Sequence, residues 1–155
     1  MAFFSFCKKL SLFLIALTVF EPNGAAQSRR IELHDFSKIV GVSDPQISPD
    51  GKTIVIVVSR VNMEMDRNER ELVLVDVQSG TQRVMTSGKK SVSSPRWSPS
   101  GDRLAFLSPD TGGKNQIFVL PMRGGDAIRI TSAANGVEQF VWRPNGQDFA
   151  YVAQD

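Results

Sequence analysis

The fold of this chain is decided by the stretch Pro95-Arg-Trp-Ser-Pro-Ser-Gly-Asp-Arg-Leu-Ala-Phe-Leu107. Its centre, Ser-Pro-Ser-Gly at positions 98–101, has the composition of a type I turn, in which proline presets φ and glycine permits a positive φ. Such a turn lets the chain double back as a hairpin. The apolar run that follows, Leu104 to Leu107, is typical of a strand covered on both faces. The stretch therefore predicts a strand end, a tight turn and a buried strand.

The same unit occurs twice more in the sequence. It appears upstream as Pro45-Gln-Ile-Ser-Pro-Asp-Gly-Lys-Thr-Ile-Val-Ile-Val57 and downstream as Phe140-Val-Trp-Arg-Pro-Asn-Gly-Gln-Asp-Phe-Ala-Tyr-Val152. The turn glycines, Gly51, Gly101 and Gly146, are 50 and 45 residues apart. A period of that size with strand-turn-strand content indicates the blades of a β-propeller.

Each of the first two units continues with a further pair of predicted strands. In the first repeat the pair is Glu71–Val77 and Gln82–Thr86, and in the second it is Gln116–Leu120 and Ala127–Thr131. Four antiparallel strands per repeat make one propeller blade. The sequence therefore predicts an all-β chain with blades at about 42–90 and 91–135 and an incomplete blade at 136–155.

The third repeat contains only its opening hairpin before the sequence ends at Asp155. Propellers close with at least four blades, and short arrays cannot bury their faces. We therefore expect that the chain is a fragment of a longer protein or that it assembles with other chains, and we favour the first interpretation.

Residues 1–26 have the layout of a secretory signal peptide. Two lysines at positions 8 and 9 precede an apolar run from Leu10 to Phe20, and Gly24-Ala-Ala26 offers small residues for cleavage. The run is short for a bilayer span, and a buried N-terminal helix is the alternative. Cleavage would remove Cys7, the only cysteine, so the mature chain suits an oxidising compartment. We expect a periplasmic or secreted protein with no stable membrane span after cleavage.

Residues 27–41 form a leader between the signal peptide and the first blade. Its apolar residues Ile31, Leu33, Phe36 and Ile39 fit a short amphipathic helix. We predict that this helix begins at about Asp35 and is ended by Gly41.

The segment from Arg60 to Glu71 is dense in charge of both signs. One interpretation is a recognition loop, and the other is a solvated crossover between two strands of the first blade. We favour the crossover because mixed-sign runs at surfaces are usually only solvated. The equivalent in the second blade, Pro109 to Asn115, is a shorter loop.

The sequence contains no recognisable catalytic machinery. A Ser-His-Asp set needs a histidine as base, and the one histidine, His34, lies in the leader. The segment nearest to a Gly-x-Ser-x-Gly elbow, Gly41-Val-Ser-Asp-Pro45, lacks the second glycine. Gly112-Gly-Lys-Asn115 is too short for a phosphate-binding loop. We therefore predict no catalytic, cofactor-binding or metal-binding residue in this chain.

The remaining conspicuous side chains have structural explanations. Trp97 and Trp142 recur at one position of successive repeats, which favours packing between blades over ligand stacking. Aspartates at turns usually bond their own backbone rather than a metal ion. The aspartates concerned stand mostly at turns: Asp44, Asp50, Asp76, Asp102 and Asp126. A formal charge of +2 without a basic stripe gives no support for nucleic acid as a partner.

The repeat resembles the blades of two protein families. The segment Trp97-Ser-Pro-Ser-Gly-Asp-Arg-Leu-Ala-Phe106, followed by Gln116-Ile-Phe-Val-Leu120, is similar to TolB-like propellers and to the N-terminal propeller (WD40-like, PD40 repeats) of the prolyl oligopeptidase family of serine peptidases. The acylaminoacyl peptidase and dipeptidyl aminopeptidase branch is the more similar, because Val42-Ser-Asp-Pro-Gln-Ile-Ser-Pro-Asp-Gly51 and Leu72-Val-Leu-Val-Asp-Val77 resemble the opening of its propeller. TolB would place a separate α/β domain ahead of the propeller, whereas a short leader stands there in this sequence.

The resemblance to the peptidases implies a function. In that family the propeller caps an α/β-hydrolase domain that follows in the chain, and it admits peptides but not folded proteins to the catalytic serine. The triad lies in that later domain, so no catalytic residue is carried over. Glu69 and Glu71 do not match the paired glutamates of some dipeptidyl peptidases, because the surrounding motif is absent.

The expectation is therefore the propeller segment of an exported serine peptidase, with peptide substrate as the partner of a catalytic domain absent from this chain. One alternative is a non-enzymatic, TolB-like periplasmic propeller that binds a protein partner. Another is a short, self-assembling repeat protein. Ser100, Arg143 and Asn145 depart from the usual turn residues of the repeat, but they are conservative for a turn.

Overall fold

A computed structural model of the chain describes residues 30–86 and 91–153. The predicted signal peptide, residues 1–26, lies outside them. The elements described are one short helix, α1 (Leu33–Phe36), and ten strands. The first four strands are β1 (Val40–Ile47), β2 (Thr53–Asn62), β3 (Arg67–Asp76) and β4 (Gln82–Val84). The others are β5 (Ser93–Trp97), β6 (Arg103–Pro109), β7 (Asn115–Pro121), β8 (Ile128–Arg129), β9 (Val137–Trp142) and β10 (Phe149–Ala153).

The strands form three antiparallel sheets in chain order. The first sheet has the order β1-β2-β3-β4, the second β5-β6-β7-β8, and the third pairs β9 with β10. Each sheet is a meander in which every strand is hydrogen-bonded to the next one in sequence. This arrangement confirms the predicted all-β chain with four-stranded antiparallel blades.

The three predicted turns have the same geometry. The amide of Gly51 donates to the carbonyl of Ser48 at 2.9 Å, and Gly101 does the same with Ser98 at 2.9 Å. In the third repeat Gly146 donates to Arg143 at 2.8 Å, although Arg143 stands where the other turns have serine. The three glycines have φ of 72, 73 and 69°, which is why glycine occupies this position in each turn.

The core lies on both faces of the second sheet. Leu104 and Phe106 face the first sheet, whereas Ala105 and Leu107 face the third. On the first face, four residues of the second sheet pack against the first sheet: Leu104, Phe106, Phe118 and Leu120 contact Val55, Val57, Leu72 and Leu74. On the other face, the second sheet packs against the third: Ala105, Leu107, Ile117 and Val119 contact Val137 and Phe140. Because successive side chains of a strand point to opposite faces, a strand between two other sheets is apolar throughout.

The last strand of each complete sheet is shorter than the sequence predicts. The strands predicted over Gln82–Thr86 and Ala127–Thr131 are Gln82–Val84 and Ile128–Arg129 in the structure. The reason is that a threonine side chain replaces the backbone as partner. The hydroxyl of Thr86 accepts the amide of Leu72 at 2.9 Å, and that of Thr131 accepts the amide of Ile117 at 2.9 Å.

The leader differs from its prediction. Helix α1 ends at Phe36, and Gly41 lies inside β1 opposite Ser59 instead of ending a helix. The helix begins earlier than Asp35 because a capping box between Glu32 and Asp35 closes its first turn. No helix among the residues described is long and apolar enough to cross a membrane.

The charged segment from Arg60 to Glu71 is mostly a strand hairpin and not a loop. Strand β2 continues to Asn62 and β3 begins at Arg67, so only residues 63–66 form the turn. The charges pair along the hairpin, because Arg60 lies 3.4 Å from Glu71 and Arg67 lies 2.9 Å from Glu69. These pairs let polar side chains extend the sheet into solvent.

Candidate functional site

The first strands of the three sheets contact one another in turn, β1 with β5 and β5 with β9. In a propeller the blades surround a central channel, so strands that approach one another in this way lie on the channel side. We call the polar residues Asp44, Ser94, Arg96, Glu138 and Gln139 of these strands the inner-strand surface.

Two bulges shape the inner-strand surface at equivalent positions. Asp44 and Ser94 have φ of 50 and 51°, and each is followed by a proline. In both strands the register shifts at this point, so that two residues oppose one on the neighbouring strand. A bulge re-aims side chains, and a non-glycine residue with positive φ is strained by about 1–3 kcal/mol. The one signal for this feature in the sequence is the equal placement of Asp44-Pro45 and Ser94-Pro95 in the repeats, and the bulges were not predicted from it.

An open cleft of about 610 Å³ lies between β5 and the β9–β10 hairpin. Ser94, Arg96, Glu138 and Gln139 supply its polar groups, and Tyr151 adds an aromatic ring. The guanidinium of Arg96 donates to the carbonyl of Pro95 at 2.8 Å. Groups of both charge signs beside an aromatic ring can hold a polar chain by hydrogen bonds and packing. The cleft is therefore equipped for binding.

The side chains that the sequence analysis weighed for catalysis lie on different elements of the described chain, His34 on α1 and Glu69 and Glu71 on β3. His34 lies exposed on α1. Glu69 accepts hydrogen bonds from Arg67 and from Asn62, and these bonds hold the pKa of its carboxyl below the usual range. Glu71 lies 3.4 Å from Arg60, so both glutamates have an arginine partner. Residues 30–86 and 91–153 contain no group of three or more His, Cys, Asp or Glu side chains that could hold a metal ion.

The two tryptophans join neighbouring sheets, as predicted. The indole of Trp97 donates to the carbonyl of Gln46 in β1 at 3.1 Å, and that of Trp142 donates to the carbonyl of Arg96 in β5 at 3.0 Å. The guanidinium of Arg103 lies 5.2 Å from the centre of the Trp142 ring. Both rings therefore serve the contact between blades.

Several turn aspartates bond the local chain. Asp50 accepts the hydroxyl of Ser48 and the amide of Lys52, which lower the pKa of its carboxyl. Asp76 accepts the amides of two following residues, chiefly Ser79, with the same direction of pKa change. Asp44 is the exception among these aspartates, because it lies in the bulge of β1 and not at a turn.

Comparison with known proteins defines the class of this chain. The model of the TolB beta propeller domain family (PD40) matches residues 19–155, and the chain belongs to this family. It is 36% identical over 117 residues to the uncharacterized peptidase YuxL of Bacillus subtilis. The aligned segment covers 76% of this chain and 18% of that protein.

Solved structures agree on the fold. The acylaminoacyl peptidase of Pyrococcus horikoshii superposes with a TM-score of 0.63 at 23% identity over 76% of this chain and 18% of that one. TolB from Acinetobacter baumannii superposes with a TM-score of 0.60 at 24% identity over 71% of this chain and 26% of that one. At these identities the likeness shows the propeller fold alone. The chain spans about a fifth of the length of the peptidase that it matches in sequence.

Proposed function

We propose that this chain is part of the propeller of an exported, prolyl-oligopeptidase-like serine peptidase, and that it controls which substrates reach a hydrolase domain. The observation that carries the proposal is the 36% identity to a peptidase of which the chain matches only 18%. The remaining length of that relative leaves room for a catalytic domain.

The inner-strand surface supports a role in substrate access. Its polar groups face the channel side of the sheets, and the cleft beside Arg96 and Glu138 can contact a passing peptide. Among the residues described, no serine hydroxyl is hydrogen-bonded to a histidine side chain, and the proposal therefore places the chemistry in another domain. The layout of residues 1–26 supports a periplasmic or secreted location.

The test is to express the complete reading frame that contains this sequence and to treat it with a fluorophosphonate probe for activated serines. We expect labelling, turnover of a short aminoacyl p-nitroanilide, and no cleavage of a folded protein. The purified 155-residue chain is the control and should show neither labelling nor turnover. A full-length protein that is not labelled, or that cleaves folded proteins as fast as peptides, would contradict the proposal.

Arg96 offers a sharper test of access. The change Arg96→Glu in the full-length protein should alter kcat/KM for peptides with charged residues and leave the uncharged short substrate unchanged. Arg70→Glu is the matched control, because Arg70 is an exposed arginine of β3, outside the inner-strand surface. If both variants change kcat/KM equally, the cleft has no special role in access.

A second candidate function is a TolB-like, non-enzymatic propeller that binds a protein partner. The match to the TolB beta propeller domain family and the 29% identity over 111 residues to TolB of Francisella tularensis favour it. The two functions separate in the same experiment, because a TolB-like protein would contain no serine that reacts with the probe.

A further inference from the structure

A second groove lies on the molecule, away from the inner-strand surface. It runs between β4 of the first sheet and the end of β7 with its following turn in the second, and its volume is about 300 Å³. We call it the blade 1–2 groove. The residues used below are Arg83, Val84, Met85, Leu120, Met122 and Arg123.

The floor of the blade 1–2 groove is apolar. Leu120 is buried in the core shared by the first two sheets, and Met85 and Met122 pack against that core from the outside. Val84 adds a half-exposed apolar side chain at the edge. Methionine side chains adapt their shape to what they contact, which suits a surface that receives another side chain.

The rim of the groove is positively charged. Arg83 and Arg123 are both exposed, and among the residues described neither guanidinium lies in an ion pair or hydrogen bond. No acidic residue lines the groove, and Asp126 follows its turn without lining it. Arg70 and Arg96 likewise have no carboxylate partner among the residues described. Five other arginines lie within 3.5 Å of a carboxylate oxygen: Arg60, Arg67, Arg103, Arg129 and Arg143. The two rim arginines are thus available to carboxylates from outside the chain.

One side of the groove is the edge of a sheet. Strand β4 is last in the order β1-β2-β3-β4, so its outer edge is not paired within the described sheet. An edge strand offers amide and carbonyl groups to an extended segment of another chain. This backbone edge distinguishes the groove from a site for a lipid or a small anion, which would make no use of it.

We propose that the blade 1–2 groove docks an extended segment of a partner protein in which acidic and apolar side chains alternate. The apolar side chains would cover Met85, Leu120 and Met122, while the carboxylates pair with Arg83 and Arg123. Arginine binds carboxylates in a two-pronged manner that fixes their orientation. The contact area is small, so the complex is weak and transient. The proposal does not depend on peptidase function.

The test measures binding of a fluorescein-labelled peptide, acetyl-Glu-Val-Glu-Leu-Glu-amide, to the complete chain by fluorescence anisotropy. We expect Arg83→Glu with Arg123→Glu to weaken binding at least tenfold. Arg70→Glu is the matched control, since it makes the same charge change on an exposed arginine outside the groove, and it should change Kd less than twofold. Circular dichroism of each variant shows whether the sheets remain folded.

Two further peptides test the parts of the groove. Replacing the glutamates with lysines should abolish binding, and replacing the valine and leucine with serines should weaken it several-fold. If the double variant does not fold, Arg83→Gln with Arg123→Gln serves in its place and should weaken binding in the same direction.

Several results would overturn the proposal. These are no binding of the acidic peptide, equal weakening by Arg70→Glu, equal binding of the lysine peptide, and equal binding of the serine peptide. Binding to phosphatidylglycerol vesicles without binding to the peptide would also reject it in favour of a membrane surface.

Discussion

The first and second sheets are built from the same repeat, yet they differ in how they are covered. Val92, the residue before β5, is 1% exposed, whereas the equivalent Val42 in β1 is 63% exposed. Trp97 packs against the core, whereas Ile47, at the same position of the first repeat, is 61% exposed. The second sheet lies between two others, and the first is covered on one face by the described residues. Burial in this repeat is therefore decided by the neighbouring sheet and not by the strand's own sequence.

The largest expected effect comes from removing a core aromatic of the second sheet. Phe106 is fully buried and its ring stacks on Phe118 with centroids 6.0 Å apart. Phe106→Ala should lower the free energy of unfolding by about 3–5 kcal/mol, because it removes a large side chain and leaves a cavity. The equivalent residue of the first sheet, Ile56, is only partly buried, so Ile56→Ala should cost less than about 2 kcal/mol.

Urea denaturation followed by circular dichroism measures both changes. If Phe106→Ala does not fold at all, Phe106→Leu keeps most of the volume and should give a smaller, measurable loss. If Phe106→Ala and Ile56→Ala lower the free energy of unfolding equally, the first sheet is covered as fully as the second.

A smaller effect is expected from the bond between blades. The indole of Trp97 donates to Gln46, and Trp97→Phe removes this donor while keeping an aromatic ring. The loss should be about 1–2 kcal/mol, since a hydrogen bond and part of the packing disappear. At the equivalent position, Ile47→Phe should change stability by less than about 0.5 kcal/mol because the side chain is exposed. Thermal unfolding measures the change in stability of both variants. If Trp97→Phe leaves the stability unchanged, the tryptophans do not hold the blades together.

Local chemistry explains what the sequence could predict. The turns at Gly51, Gly101 and Gly146 and the buried run after Gly101 depend on residues within a few positions of one another. The family resemblance depends on the same short motifs. These features require no knowledge of the neighbouring sheets.

Contacts between distant residues explain what the sequence could not predict. The bulges at Asp44 and Ser94 depend on pairing with the next strand, and the hairpin extension includes the cross-strand charge pair of Arg60 with Glu71. The blade 1–2 groove brings Arg83 and Arg123 together from different repeats. No sequence pattern within either repeat predicts that these two arginines line the same groove.

The smallest expected effect concerns the turn carboxylates, which the two sheets place differently. The first turn uses Asp50, and the second uses Asp102, two positions later in the repeat, but both accept the hydroxyl of the turn serine. The hydroxyls of Ser100 and Ser98 lower the pKa of Asp102 below its ordinary range. A carboxyl whose pKa is lower in the folded state stabilises the fold above its unfolded pKa and loses that contribution as the pH falls through the folded value.

Ser100→Ala should therefore raise the pKa of Asp102 towards its ordinary value and reduce the loss of stability on acidification. It should leave the pKa of Asp50 unchanged. Carboxyl ¹³C NMR titration between about pH 2 and 6 spans the ordinary pKa of aspartate and reports both groups. An unchanged Asp102, or an equal shift at Asp50, would mean that the serine hydroxyl does not set the ionisation of this turn.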